Sequence, residues 1–308
     1  MKNKSSSKSL SKKIKPAFGY FGSKASISKE LISNLPPHNC WVELFCGSAA
    51  LTLSKAPSSI EVINDLDNEI TNLFTQLRNN SDELCKVIEM TPYARQELIN
   101  SRENDPNENE LEKARKFLVR SMFAINSSFG KAKGGFSYSN SYSRKNQDAR
   151  VSRWNNLPDR LLKVAERFKN IRIENRDAID LLKMYQNRPA TLLYLDPPYL
   201  GDRVKGYEID ADAEEFHHKL LSVANKSRSM LFISGYKNKL YEQLLSEKNG
   251  WQNQEIQTST RNSKGQIFDR TEVVWFNSYF QKALKENKVP ITLTSKEQKN
   301  KKINPVRN

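Results

Sequence analysis

Short apolar runs alternating with amphipathic stretches set the pattern of this chain. Asn39 to Phe45 (NCWVELF) is an apolar run bounded by turn residues and reads as a buried strand. It leads into Gly47, Ser48, Ala49 and Ala50, and then a helix start. Ile60 to Asp65 (IEVIND) is a second strand. Asp67 is placed to cap a helix whose apolar positions Ile70, Leu73, Phe74 and Leu77 follow the i, i+3, i+4, i+7 spacing of one face. Strand, helix, strand, helix over 39–78 is the opening of a parallel sheet with right-handed crossovers. Ahead of it, Lys15 to Lys24 (KPAFGYFGSK) is a Gly- and aromatic-rich loop, followed by a short helix that Pro36 and Pro37 stop.

From 81 to 168 helical periodicity replaces this alternation, broken by the polar loop Arg102 to Asn109. A long amphipathic helix is predicted over Glu110 to Ile125, and another near Leu157 to Phe168. The alternation resumes with a strand at Ile171 to Glu174, a helix opened by Asp177 and carried through Leu181 and Leu182, and the buried strand Thr191 to Leu195 (TLLYL). A helix over Ala213 to Asn225, a strand at Met230 to Ser234 and a helix near Leu240 to Leu245 follow. Two strands, Trp251 to Thr258 and Glu272 to Phe276, flank the polar turn Arg261 to Gly265 and read as an antiparallel hairpin. The expected fold is an α/β sheet with helices on both faces, a C-terminal antiparallel hairpin and an inserted, mainly helical unit. Its parts are a tail over 1–14, a sheet domain over 15–80 and 169–280, the insertion over 81–168 and a second tail over 281–308.

Charge sharpens this picture. The formal net charge is +15, and it is unevenly spread. Residues 1–15 hold six lysines and no acid, and residues 282–308 hold eight basic residues against two acids. Inside the insertion, 130–153 carries Lys131, Lys133, Arg144, Lys145, Arg150 and Arg153 against Asp148. The remainder is slightly acidic. A basic internal loop between basic tails points to a polyanion partner, although lysine tails on their own also serve as solvated, flexible ends. The internal loop is more specific, because its cations are interleaved with Phe129, Phe136, Tyr138, Tyr142 and Trp154, which can stack on bases. Three cysteines (Cys40, Cys46, Cys85) without a CxxC spacing argue against a disulfide framework or a structural zinc site and suit a reducing cytoplasm. The adjacent His217 and His218 read as surface residues of a polar helix face rather than metal ligands. No apolar stretch reaches the ~18 residues of a membrane span, and the basic N-terminus lacks the apolar run of a secretory signal.

The chemistry concentrates after two strands. Thr191 to Leu195 delivers Asp196-Pro197-Pro198-Tyr199 to the carboxyl edge of the sheet, where α/β proteins bind ligands. Two prolines stiffen the loop because each fixes φ and lacks an N–H. A carboxylate and free carbonyls then make an acceptor cluster suited to a planar amine, with Tyr199 as a flat stacking face. Standing alone, the tetrapeptide reads better as a turn with an exposed Asp and a packed Tyr. The context reverses this. Small residues at 47–50 let a ligand approach the backbone, and about twenty residues on Asp65 ends a strand where an acid accepts ribose hydroxyls. Asp65 as a loop acid and Glu43 as a turn-stabilising acid remain open readings.

Three blocks in this order, Phe18-Gly19-Tyr20-Phe21-Gly22-Ser23-Lys24, Glu43-Leu44-Phe45-Cys46-Gly47 and Asp196-Pro197-Pro198-Tyr199, resemble the Dam-type DNA adenine-N6 methyltransferases, which depend on S-adenosylmethionine. The order, with a helical insertion ahead of the tetrapeptide, is similar to the family's alpha class, and the likeness covers 15–277. Two positions depart from the family pattern: Ser23 and Ala49 stand where glycines are usual. The resemblance implies a Rossmann-like methyltransferase sheet and an insertion that recognises the DNA target. It implies cofactor contacts from Tyr20, Lys24, Glu43, Phe45, Gly47, Asp65, Asp177 and Asp196. It implies catalysis by Asp196, Pro197 and Tyr199 on a flipped-out adenine, with no metal. Asn126, Phe129, Lys131, Lys133, Tyr138, Arg144 and Arg150 would form the DNA-reading surface. The partner would be double-stranded DNA, with a cognate restriction endonuclease as a further partner. The protein would act as a monomer or weak dimer in the cytoplasm of a bacterial or phage-infected cell. Rival readings are a methyltransferase for cytosine N4, RNA or another amine, a catalytically silent DNA-binding module, and a generic nucleic-acid binder driven by its tails.

Overall fold

A computed structural model describes residues 14–20, 22–103, 105–125, 134–138, 146–200, 214–261 and 267–290. Seven strands form one sheet: β1 (Cys40–Glu43), β2 (Ile60–Asn64), β3 (Ile171–Glu174), β4 (Thr191–Leu195), β5 (Met230–Gly235), β6 (Trp251–Arg261) and β7 (Ile267–Asn277). Their order is β3-β2-β1-β4-β5-β7-β6. The first five strands run parallel, and β7 enters antiparallel between β5 and β6. The chain steps outward from β1 to β2 and β3, then returns to place β4 on β1's other side. A crevice opens at such a switch point, outside the carboxyl ends of the strands.

Alternation along the strands divides the core. Val42, Leu193, Leu231 and Ile233 pack against α9 (Ala178–Tyr185), α10 (Glu214–Asn225) and α11 (Lys239–Leu244) through Leu181, Leu182, Leu220, Leu221 and Tyr241. Trp41, Leu192, Tyr194, Met230 and Phe232 cluster with Leu31 of α1 (Ser28–Ser33), Leu51 of α2 (Ala50–Ser54) and Phe280 and Ala283 of α12 (Ser278–Glu286). The strand interiors are apolar on both sides because both faces are covered.

Between α3 (Asn68–Asn79) and β3 the described residues form α4 (Ser81–Glu89), α5 (Arg95–Asn100), α6 (Glu110–Phe123), α7 (Ala149–Asn155) and α8 (Leu157–Phe168). Their core is continuous with α3, since Ile70, Phe74, Phe117, Leu161 and Phe168 share one cluster with Ile63 of the sheet. Asp67 caps α3 by accepting from the Glu69 N–H at 2.8 Å.

Several boundaries differ from those expected. α6 ends at Phe123, two residues early, because Ala124 leaves the helix at ψ 146 and pairs with Phe136 in an isolated antiparallel bridge. The hairpin strands are longer, reaching Arg261 and Ile267. Polar residues there are tolerated because the hairpin lies at the sheet edge. Residues 281–286, expected to begin a flexible tail, are helical: Phe280 and Ala283 anchor α12 on the sheet, a short stripe hidden among lysines. His217 is fully buried rather than on the surface, with its Nδ1 3.0 Å from the Tyr241 hydroxyl. Its polar neighbours on α10 disguise the inward side; His218 is exposed. Both tails beyond these limits, 1–13 and 291–308, lie outside the described residues.

Candidate active site

The carboxyl ends of β1, β2, β3 and β4 enclose an open cleft with about 920 Å³ of empty space, part of it shared with solvent. Its walls include Tyr20, Lys24, Glu43, Phe45, Gly47, Asp65, Asp177 and Asp196. The tertiary structure thus brings together all eight residues implied as cofactor contacts, from segments up to 176 positions apart in the chain.

Backbone conformation explains the turn after β1. Gly47 has φ +47°, and a Cβ there would lie 2.7 Å from the Tyr20 ring. Only glycine fits both the angle and the aromatic neighbour. Its N–H donates to Asp65 Oδ2 at 2.8 Å, while Asp65 Oδ1 accepts from the Asp67 N–H at 3.1 Å. Asp65 therefore holds the turn as well as facing the cleft. Burial pushes its carboxyl up to about 6, against the backbone N–H groups that favour the charged form. Ala49 also lies in the left-handed region, at φ +54°, which costs a non-glycine residue on the order of 1–2 kcal/mol. Ser23, where glycine was expected, exchanges a hydrogen bond with Ser48 at 3.0 Å and ties the aromatic loop to this turn.

Glu43 is buried, and its carboxylate accepts from the Thr52 N–H at 3.1 Å and from the Thr52 hydroxyl. Trp41 Nε1 donates to the same hydroxyl at 2.7 Å, so the hydroxyl hydrogen is directed at Glu43. Desolvation pushes the Glu43 carboxyl up to about 8, and the Thr52 donors oppose this. Asp177 caps α9, accepting from the Ile179 and Asp180 N–H groups at 2.9 and 3.0 Å, and borders the cleft.

At the end of β4, Asp196 meets a cation. Lys24 Nζ lies 2.9 Å from Asp196 Oδ2 and 3.0 Å from Glu272 Oε1, and donates to the Gly22 carbonyl at 3.0 Å. The ammonium is 4.9 Å from the centre of the Tyr199 ring, and the Tyr199 hydroxyl donates to Glu272. Burial raises the Asp196 carboxyl to about 6, with Lys24 opposing and Glu272 adding to the rise. Burial works to lower the Lys24 ammonium, yet the two carboxylates outweigh it and hold the group above its ordinary value. Pro197 is buried; Pro198 is the proline that lines the cleft. Tyr199 packs edge-on to Tyr236, with ring centres 4.5 Å apart.

Glu272 was not legible as a site residue, because it sits in a strand far downstream and faces the cluster only through the β5–β7 pairing. Asn64 was missed too. Its Nδ2 donates to the Leu44 and Arg176 carbonyls at 2.9 and 3.1 Å, and its Oδ1 accepts from the Arg176 N–H at 2.9 Å. One buried amide thus pins the ends of three strands. An Asn closing a strand among apolar residues was the available signal.

The expected DNA surface is described only in part. Asn126, Phe129, Lys131, Lys133 and Arg144 lie outside the described residues. Tyr138 is 68% exposed, and Arg150 is half-buried on α7. Trp154 is not a stacking face: it is 2% exposed and its Nε1 donates to the Thr91 carbonyl at 2.8 Å. Phe136 is half-buried and packs on Tyr93, ring centres 5.1 Å apart, against the core of these helices. Aromatic residues beside cations served packing here as readily as stacking. No group of three or more potential metal ligands occurs among the described residues.

Residues 20–261 match the family model of the D12 class N6 adenine-specific DNA methyltransferase. Similar solved structures are distant. A protein described as an RNA methyltransferase from Pyrococcus horikoshii is 10% identical, with 87% of this chain and 93% of that one covered, at a TM-score of 0.37. An S-adenosylmethionine-dependent methyltransferase from Agrobacterium tumefaciens is 8% identical, with 82% and 60% covered, at 0.33. Precorrin 8W decarboxylase from Methanobacterium thermoautotrophicum is 7% identical, with 82% and 88% covered, at 0.32.

Proposed function

We propose, for a chain that belongs to the D12 class N6 adenine-specific DNA methyltransferases, that it transfers a methyl group from S-adenosylmethionine to the N6 of a flipped-out adenine in double-stranded DNA. The observation that carries this reading is the placement of Asp196 where the cleft walled by Gly47, Asp65 and Asp177 reaches the edge of the Asp196–Tyr199 loop.

The cleft fits the cofactor. Asp65 offers lone pairs to ribose hydroxyls, Asp177 borders the same wall, and the missing Cβ of Gly47 leaves backbone approachable. When bound, S-adenosylmethionine would supply an electrophilic methyl group on a sulfonium. The Asp196 carboxylate, paired with Lys24, is the acceptor for the amine hydrogens, together with the Pro197 carbonyl. Accepting them draws the nitrogen lone pair out of ring conjugation and aims it at the methyl group. The same carboxylate can take the proton that the amine releases. The Tyr199 ring, held by Glu272 at its hydroxyl and by Tyr236 at its side, offers a face for the base. An adenine inside a duplex cannot reach this depth, so it must be extruded, at a cost of a few kcal/mol. Orientation and preorganised acceptors carry the rate enhancement.

The test is incubation of the full chain with unmethylated genomic DNA and methyl-labelled cofactor, followed by mapping of modified bases. Label at adenine N6 in a recurring sequence is expected. Label on cytosine, on RNA alone, or on no nucleic acid would overturn the reading.

A further inference from the structure

Asp196 is already occupied by a protein cation. The Lys24 ammonium has three hydrogens, and three acceptors surround it: Asp196 at 2.9 Å, Glu272 at 3.0 Å and the Gly22 carbonyl at 3.0 Å. An incoming amine needs the same Asp196 carboxylate. Lys24 and Glu272 are both buried, so the cation cannot simply turn out to water. Glu272 lies on β7, outside the residues that wall the cleft, and it also receives the Tyr199 hydroxyl.

We propose that Glu272 is a positioning residue: it is the second seat for the Lys24 ammonium, drawing the cation off Asp196 as the target amine docks while fixing Tyr199 by its hydroxyl. This rests on the methyltransferase reading. The geometry makes the shift small, because the ammonium lies almost equally far from both carboxylates. The Gly22 carbonyl belongs to neither carboxylate and accepts from the ammonium at 3.0 Å, beside the Tyr199 ring. Without Glu272, Asp196 would be the sole buried counter-ion among these groups, and the cation would compete with substrate for it. The pair thus makes Asp196 available on arrival of the amine and covered in its absence.

A merely structural Glu272 would hold the fold and the cofactor site together. The proposed role has a different signature, rescue by removing the cation. The experiment measures kcat on unmethylated duplex DNA at saturating S-adenosylmethionine for the parent, Glu272→Gln and Lys24→Met/Glu272→Gln, with melting temperature and calorimetric cofactor affinity for each. Glu272→Gln is expected to lower kcat by about tenfold to a hundredfold with cofactor affinity within about threefold of the parent. The double variant is expected to exceed Glu272→Gln in kcat by about fivefold or more, and it also removes the unpaired buried cation if the single variant melts early. A kcat for Glu272→Gln within threefold of the parent, or a double variant no faster than the single one, overturns the inference alone. A parent that methylates no DNA overturns the methyltransferase reading and this inference with it.

Discussion

Two carboxyl groups at the ends of neighbouring strands illustrate how one residue type serves different ends. Asp65 spends one oxygen on the Gly47 N–H and the other on the Asp67 N–H, and its carboxyl also borders the cleft. Asp65→Ala is expected to weaken S-adenosylmethionine binding by about 10–150-fold, the loss of a charge-assisted pair of hydrogen bonds worth ~1.5–3 kcal/mol. Calorimetry checks this, and unchanged affinity would confine Asp65 to holding the turn. Glu43 differs because burial outweighs both the Thr52 donors and the attraction of Lys55. Its carboxyl sits at about 8 in the fold against an ordinary value of 4.5. Between those values the folded chain keeps a proton that the unfolded chain releases, so stability falls as pH rises from about 4.5 to 8 and stays reduced above. Glu43→Gln should remove that loss, since an amide carbonyl still accepts from Thr52. Melting temperatures at pH 5 and pH 9 are the measurement. The variant should gain on the parent at the higher pH, and an equal fall in both proteins would place the titrating group elsewhere.

At the scale of elements, α12 shows how little apolar surface is needed to dock a helix when it lands on a finished sheet. The Phe280 ring lies 5.7 Å from Phe232 and 4.8 Å from Phe276, and the Phe280 N–H is capped by Asn277 Oδ1 at 3.0 Å. The same Asn277 accepts from the Leu231 N–H and donates to the Ser229 carbonyl, so it joins β5, β7 and α12. Phe280→Ala should cost about 3–5 kcal/mol, the usual range for emptying a buried aromatic site. A lower urea midpoint at unchanged slope would report this. A loss below about 1 kcal/mol would mean that α12 does not hold the sheet.

For the whole molecule, the charge distribution separates attraction from discrimination. The segments 1–12 and 291–308 are lysine-rich and nearly free of aromatic residues, so they can supply phosphate attraction that carries no base information. Deleting both is expected to weaken DNA binding and flatten its salt dependence, because fewer counterions are released, while the methylated sequence stays the same. Starting the second deletion after 290 leaves α12, which ends at Glu286, intact. Substituting loop cations such as Lys131 or Arg144 singly should instead relax site choice at one position, by about 1–3 kcal/mol where a base contact is lost. Sequencing of methylated genomic DNA from each variant tests both halves. A changed recognition sequence after tail deletion, with the loop variants unaltered, would reverse the assignment.

The strand order of chemistry was legible in the sequence because it is local. Apolar runs marked β1, β2, β4 and β5, Asp67 and Asp177 announced helix starts, and Asp196 followed a buried strand into two prolines. A parallel sheet converts that pattern into function directly, since every strand delivers its next residue to the same edge. What the sequence could not provide was pairing at a distance. Glu272 reaches Lys24 and Tyr199 only because β7 lies antiparallel beside β5, and Asn64 clamps Leu44 and Arg176 only because β1, β2 and β3 are neighbours. Burial was equally hidden: His217 and Trp154 sit in polar or basic stretches, and only packed helices turn them inward. Local propensity depends on nearest neighbours in the chain, whereas desolvation and long-range contacts depend on neighbours in space.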